Sequence, residues 1–264
     1  MSQRPARSSD ERIVEALRIF KDADSVELKL TVPDTDQYSA IGALEMDVLD
    51  AVFRQVVFFD TPDLRLTNAG VVVRARRTRK GGDATVKLRP VVPADLPRKL
   101  RRSRNFTIEV DVMPGGLVCS GSLKGKVDNG DVARVIAGER PIRKLFAPEQ
   151  RSIFKDHAPT DLDLDSLMPF GPINVAKLKV SIEALREHVV AAELWFYPDG
   201  SRILELSTRC ARDEAFQVLV EARALLAHRG ISLTGAQQTK TRRALEYFSH
   251  LHPPARKPPT ARAS

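Results

Sequence analysis

The feature that most constrains this chain is a motif repeated along it. Short segments alternate charged and apolar residues, and the charged residues come in pairs two positions apart. A strand places residues i and i+2 on the same face, so each pair projects to one side and the apolar residues to the other. Three pairs are basic: Arg74 and Arg76, Lys87 and Arg89, Lys177 and Lys179. One pair is acidic, Glu109 and Asp111, and one is mixed, Glu27 and Lys29. Two readings of the pattern stay open. In the first, the sheet has a solvated face on which opposite charges pair across strands, each pair contributing ~0.2–1 kcal/mol. In the second, a closed sheet turns its charges into a lumen and its apolar face out toward covering helices. Such a lumen would attract a polyanion, and a few carboxylates inside it would hold a divalent ion.

Eight strands are expected from alternation and turn signals, at 25–32, 55–60, 71–78, 84–90, 105–112, 173–180, 188–197 and 201–209. Helical spacing marks 10–20, 40–53, 213–229 and 237–250. A helix does not follow every strand, so the chain reads as α+β, not as a doubly wound parallel sheet.

Composition narrows the class further. With 264 residues, 42% hydrophobic and 29% charged, the chain is an ordinary globular one, long enough for a full core. No apolar run is long enough to cross a membrane as a helix, and the N-terminus lacks a secretory pattern. Its two cysteines, Cys119 and Cys210, form neither a disulfide framework nor a metal-ligand spacing. A cytoplasmic location is expected. The net charge is +8, but much of the excess falls in residues 1–9 and 252–264, which read as disordered tails around a single domain at 10–251. Within that domain, residues 71–104 carry twelve Lys and Arg against Asp83 and Asp95. The basic charge is therefore concentrated where it could meet an anion, and nucleic acid is not the expected partner.

Several other motifs are weak. Asp161–Asp165 resembles the start of a calcium loop, but Ser166 and Pro172 occupy its obligatory Gly and Glu positions. Gly81-Gly82 reads as a hairpin turn, Trp195 as core, and Arg98–Arg104 as a solvated basic loop.

Several segments together resemble the CYTH domain of the triphosphate tunnel metalloenzymes. They are SVELKL (25–30), VVFFDTPDLRLTNAGVVVRARR (56–77), ATVKLRP (84–90), FTIEVDV (106–112), INVAKLKV (173–180), ELWFYPDGSRILELS (193–207) and TKTRRALEYF (239–248). The resemblance implies an eight-stranded antiparallel β-barrel, a tunnel flanked by helices. It also implies an activity: hydrolysis of triphosphates with Mg²⁺ or Mn²⁺, or cyclisation of ATP. Mapped onto this sequence, Glu27 and Glu205 would hold the metal, and Lys29 would contact phosphate at the catalytic centre. Arg74, Arg76, Lys87, Arg89, Lys177, Lys179, Lys240 and Arg242 would complete the phosphate clamp. Glu109, Asp111 and Glu193 would be further acidic tunnel residues. Ser25 stands where the family signature opens with Glu, and Ser207 where many members carry a second acid after Glu205. The leading expectation is a hydrolase of inorganic triphosphate or a small organic triphosphate. The alternatives are a polyphosphate- or nucleotide-binding module without turnover and a class IV-type adenylate cyclase. A homodimer is allowed for.

Overall fold

A computed structural model describes residues 19–185, 188–232 and 239–252. The expected helix at 10–20 and both tails lie largely or wholly outside these residues. The sheet closes into a barrel of nine strands: β1 (Ser25–Val32), β2 (Val52–Asp60), β3 (Val71–Thr78), β4 (Gly81–Leu88), β5 (Phe106–Met113), β6 (Gly116–Val127), β7 (Met168–Ser181), β8 (Val189–Phe196) and β9 (Arg202–Cys210). Their order around the barrel is β1-β5-β6-β4-β3-β2-β7-β8-β9.

Two expectations are corrected. The barrel has nine strands, not eight, and it is mixed, because β1 runs parallel to β5 while every other neighbour is antiparallel. The uncounted strand is β6, whose Gly and Ser residues weaken the alternation that marks the other strands. Packing explains them. A Cβ on Gly121 would lie 2.4 Å from the Phe106 ring, and one on Gly125 would meet the Gln150 side chain at 2.8 Å.

The expected helix over 40–53 also breaks in two. Helix α1 (Gln37–Ala43) stops before Glu45, which takes a left-handed φ of 54°, and Val52 already belongs to β2. Four further α-helices lie between β2 and β7: α2 (Arg65–Asn68), α3 (Arg98–Arg101), α4 (Asn129–Ile136) and α5 (Pro148–His157). Helices α6 (Ala215–His228) and α7 (Lys240–Leu251) follow the barrel.

The alternation read from the sequence is the burial pattern of the strands. In β1, Val26, Leu28, Leu30 and Val32 are buried beneath helices, whereas Ser25, Glu27, Lys29 and Thr31 are half-buried on the inner face. Helices α4 and α5 cover β3, β4 and β6 through Val132, Val135, Ile153 and Phe154. The Gln150 amide donates to the carbonyls of Ala84 (2.9 Å) and Leu123 (3.1 Å), pinning α5 to two strands. Helix α6 covers β1 and β9 through Val218 and Leu225.

The DTPDLRLTNAG stretch has a structural role. The buried Asp60 carboxylate accepts from the backbone N–H groups of Thr61, Leu66 and Thr67 and from the Thr67 hydroxyl, which fixes the turn into α2. Gly70 then turns with φ 78°, where a Cβ would press on the Arg89 carbonyl at 3.0 Å.

Candidate active site

The register decides which side chains share the interior. Arg74 lies opposite Phe58 and Thr85, and Arg76 opposite Val56 and Asp83. On the far wall Lys177 lies opposite Glu193, which lies opposite Glu205, which in turn faces Thr31 of β1. Directly paired residues point to the same side of a sheet, so all of these project inward. Eight basic side chains converge there: Lys29, Arg54, Arg74, Arg76, Lys87, Arg89, Lys177 and Lys240. They meet six carboxylates: Glu27, Asp83, Glu109, Asp111, Glu193 and Glu205.

One end of the interior is closed by apolar packing. Val56, Phe58, Phe170, Ile173, Trp195, Tyr197 and Ile203 form a floor, and α7 inserts Ala244, Leu245 and Phe248 against it. Trp195 is therefore core, as expected, and Tyr197 is buried in the same cluster. The Thr239 hydroxyl caps α7 by accepting from the Arg242 N–H, and Lys240 on the first turn reaches inward. Its ammonium lies 2.7 Å from Glu205, pairs with Glu193, and sits 5.6 Å from the Trp195 ring centre. Toward the other end Lys124, Lys179 and Arg209 are exposed, which marks an open, cationic mouth.

Two charge clusters line the walls. Glu193 is buried among Lys240, Lys177 (2.9 Å) and Arg54 (3.0 Å). Burial alone would push its carboxyl up, but these three cations hold it far below the ordinary range. Across the lumen, Glu27, Glu109 and Asp111 each offer an oxygen within 4.8 Å of the others. Lys29 contacts Glu27 (2.9 Å) and Asp111 (2.7 Å), Arg89 contacts Asp111 (3.2 Å), and Arg209 pairs with Glu109. Burial opposes charge on Lys29, yet Asp111 and Glu27 hold its ammonium above the usual value. Asp111 likewise stays low despite burial because Lys29, Lys87 and Arg89 surround it. Glu109 moves up, first through burial and then through the neighbouring Glu27 charge.

Two cations are poorly compensated. Among the described residues no carboxylate pairs with Arg74; its Nε is buried without a hydrogen-bond partner, and burial followed by the Arg76 charge lowers its guanidinium to about 10. Lys87 reaches Asp111 only at 3.9 Å and Glu109 at 4.0 Å, and burial pulls its ammonium down to about 8. Buried cations left in this state favour an incoming anion.

The structure gathers most of the residues singled out in the sequence: Glu27, Lys29, Arg74, Arg76, Lys87, Arg89, Glu109, Asp111, Lys177, Glu193, Glu205 and Lys240. Lys179 lies at the mouth, and Arg242 is exposed and paired with Glu246 at 2.7 Å. Glu27 and Glu205 are not brought together. Their partners on the β1–β9 ladder, Arg209 and Thr31, show them to be four residues out of step. Arg54, Asp83 and Arg209 were missed. Arg54 precedes the apolar run that marks β2, Asp83 sits beside the Gly81-Gly82 turn, and Arg209 ends its strand. The i+2 rule, extended one step along β2 from Val56, would have found Arg54.

No family model and no curated protein matches the chain by sequence. Its architecture does match solved structures. A candidate adenylate cyclase from Bacillus halodurans superposes with a TM-score of 0.59 at 15% identity, covering 84% of this chain and 97% of that one. The chain shares the fold of that structure. A second match is the candidate adenylyl cyclase HpAC1 from Hippeastrum, described as having a dominant triphosphatase activity. Its TM-score is 0.57 at 16% identity, over 80% of this chain and 91% of that one. No helix among the described residues is long and apolar enough to cross a membrane. The acids of Asp161–Asp165 serve local structure: Asp161 pairs with Arg65, Asp163 caps a turn and Asp165 pairs with Arg143.

Proposed function

We propose that this protein is a metal-dependent hydrolase of inorganic triphosphate or a small organic triphosphate, bound inside the barrel. The observation that carries this reading is the convergence of eight cations on the barrel interior, where among the described residues no carboxylate pairs with Arg74 and Lys87 is only distantly paired. A triphosphate bears roughly four negative charges at neutral pH and needs positioning and charge stabilisation rather than covalent help from the protein. Arg74, Arg76, Lys87 and Lys29 can supply charge-assisted contacts from separate strands, with the guanidinium forks gripping phosphoryl oxygens in two places.

The carboxylate cluster has the donors a hard divalent ion requires. Glu27, Glu109 and Asp111 present oxygens close together, and among the described residues neither Asp111 oxygen receives a well-aligned hydrogen bond despite its ion contacts. These three residues would hold Mg²⁺ or Mn²⁺, which supplies polarisation of phosphoryl oxygens and a bound water of lowered pKa. Neutralising the cluster would release Lys29, Lys87, Arg89 and Arg209 from their present partners toward the substrate. Glu205, expected from the sequence to share the ion with Glu27, instead holds Lys240 at the inner end of the clamp, and we assign it that positioning role.

The test is incubation of the purified protein with inorganic triphosphate, ATP and thiamine triphosphate, with and without Mg²⁺ or Mn²⁺. Phosphate release, cyclic AMP and thermal shift are read together. Metal-dependent phosphate release is expected. A cyclic product would favour a cyclase, and a thermal shift without product would favour a binding module. That last outcome would fit the loss of one acid each at Ser25 and Ser207.

A further inference from the structure

A second cavity lies outside the barrel, between its outer wall and α6. It has a volume of about 180 Å³ and is lined by Leu28 and Leu30 of β1, Leu206 of β9, and Leu219, Ala222 and Leu226 of α6. An apolar cavity of about 150 Å³ takes up benzene, so this space is large enough for a ring or a short hydrocarbon chain.

Two polar groups distinguish it from a packing fault. Thr208, also in the lining, is 5% exposed, and among the described residues its hydroxyl has no hydrogen-bond partner. A buried hydroxyl left unpaired is costly, and a ligand oxygen would satisfy it. Arg223 lines the same cavity from an exposed position on α6, and among the described residues no carboxylate pairs with it. An apolar chamber with a lone hydroxyl and a free guanidinium matches a small amphiphile bearing one negative group.

We infer that this cavity binds a monocarboxylate with a compact hydrocarbon body of about six to eight carbons. Its body would fill the space between Leu28, Leu206 and Leu226, and its carboxylate would lie toward Arg223 and Thr208. The site is separate from the tunnel and does not depend on the reading of the tunnel's chemistry. It does lie directly behind β1 and β9, the strands that carry Glu27, Lys29 and Glu205.

The probe is cyclohexylacetate, titrated calorimetrically, with neutral 2-cyclohexylethanol as its uncharged counterpart. Saturable binding of the acid is expected, unchanged by saturating inorganic triphosphate. Arg223→Ala, at an exposed position that should leave the fold intact, should weaken the acid about tenfold and leave the alcohol unaffected. Ala222→Trp, which fills the chamber, should abolish binding of both. Three results would overturn the inference: no saturable binding, displacement of the acid by triphosphate, or an acid affinity that Arg223→Ala leaves unchanged.

Discussion

Glu193 is the most heavily invested carboxylate in the barrel, and Glu193→Gln is the most informative substitution. The change keeps the shape and removes the charge that Lys240, Lys177 and Arg54 share. Removing one partner of a buried ion pair leaves the other uncompensated and costs about 3–5 kcal/mol. For a domain of this size, one kcal/mol corresponds to about 2–4 °C in Tm, so the variant should melt about 6–20 °C lower. The same three cations are then released toward the lumen. Each charged hydrogen bond they offer an anion contributes about 1.5–3 kcal/mol, so inorganic triphosphate should bind at least about tenfold tighter than to the parent protein. Thermal melts followed by circular dichroism, with and without triphosphate, read both effects. The anion should recover more of the lost stability than it adds to the parent; at one hundred times Kd the recovery is about 2.7 kcal/mol. A variant that melts normally and binds triphosphate no tighter would refute the view of Glu193 as an internal stand-in for substrate charge.

Other substitutions probe the clamp and the ion site separately. Arg74→Ala should raise KM and lower kcat together in a steady-state triphosphatase assay, because among the described residues this guanidinium has no carboxylate partner to lose. Triphosphate affinity should be full below about pH 8 and decline above it, since burial sets Lys87 near 8 and an anion can only raise that value. Calorimetry across pH 6.5–9.5 checks this, and Lys87→Met should flatten the profile. Asp111→Asn should weaken Mn²⁺ binding, measured by electron paramagnetic resonance, at least about tenfold, whereas Glu205→Gln should leave it within about twofold.

Much of this site was legible because a strand's two-residue period is rigid. Once β1 and β3 were bounded at 25–32 and 71–78, geometry alone put Arg74 with Arg76, and Glu27 with Lys29, on one face of each strand, but it did not say whether that face met solvent or a lumen. What alternation does not carry is which strands become neighbours. The parallel β1–β5 pairing sets Glu27 beside Asp111, and a reading that joined Glu27 to Glu205 had no means of finding it. Nor does alternation reveal a strand whose side chains have been trimmed for its neighbours. β6 goes uncounted because Gly121 and Gly125, which yield space to Phe106 and Gln150, interrupt its alternation. Glu45 hid a helix end for a related reason: it adopts a left-handed turn without the glycine that usually signals one. The apolar floor was only partly foreseen. Trp195 read as core, but its place inside the barrel depends on α7 entering from one end.

The most direct measurement is a crystal structure of the protein with Mn²⁺ and a non-hydrolysable triphosphate analogue, with the metal located by anomalous scattering. The phosphate chain is expected inside the barrel, against Arg74 and Lys87, with manganese on Glu27, Glu109 and Asp111. Density for the analogue only outside the barrel, with those side chains still paired among themselves, would contradict a triphosphate site in this lumen.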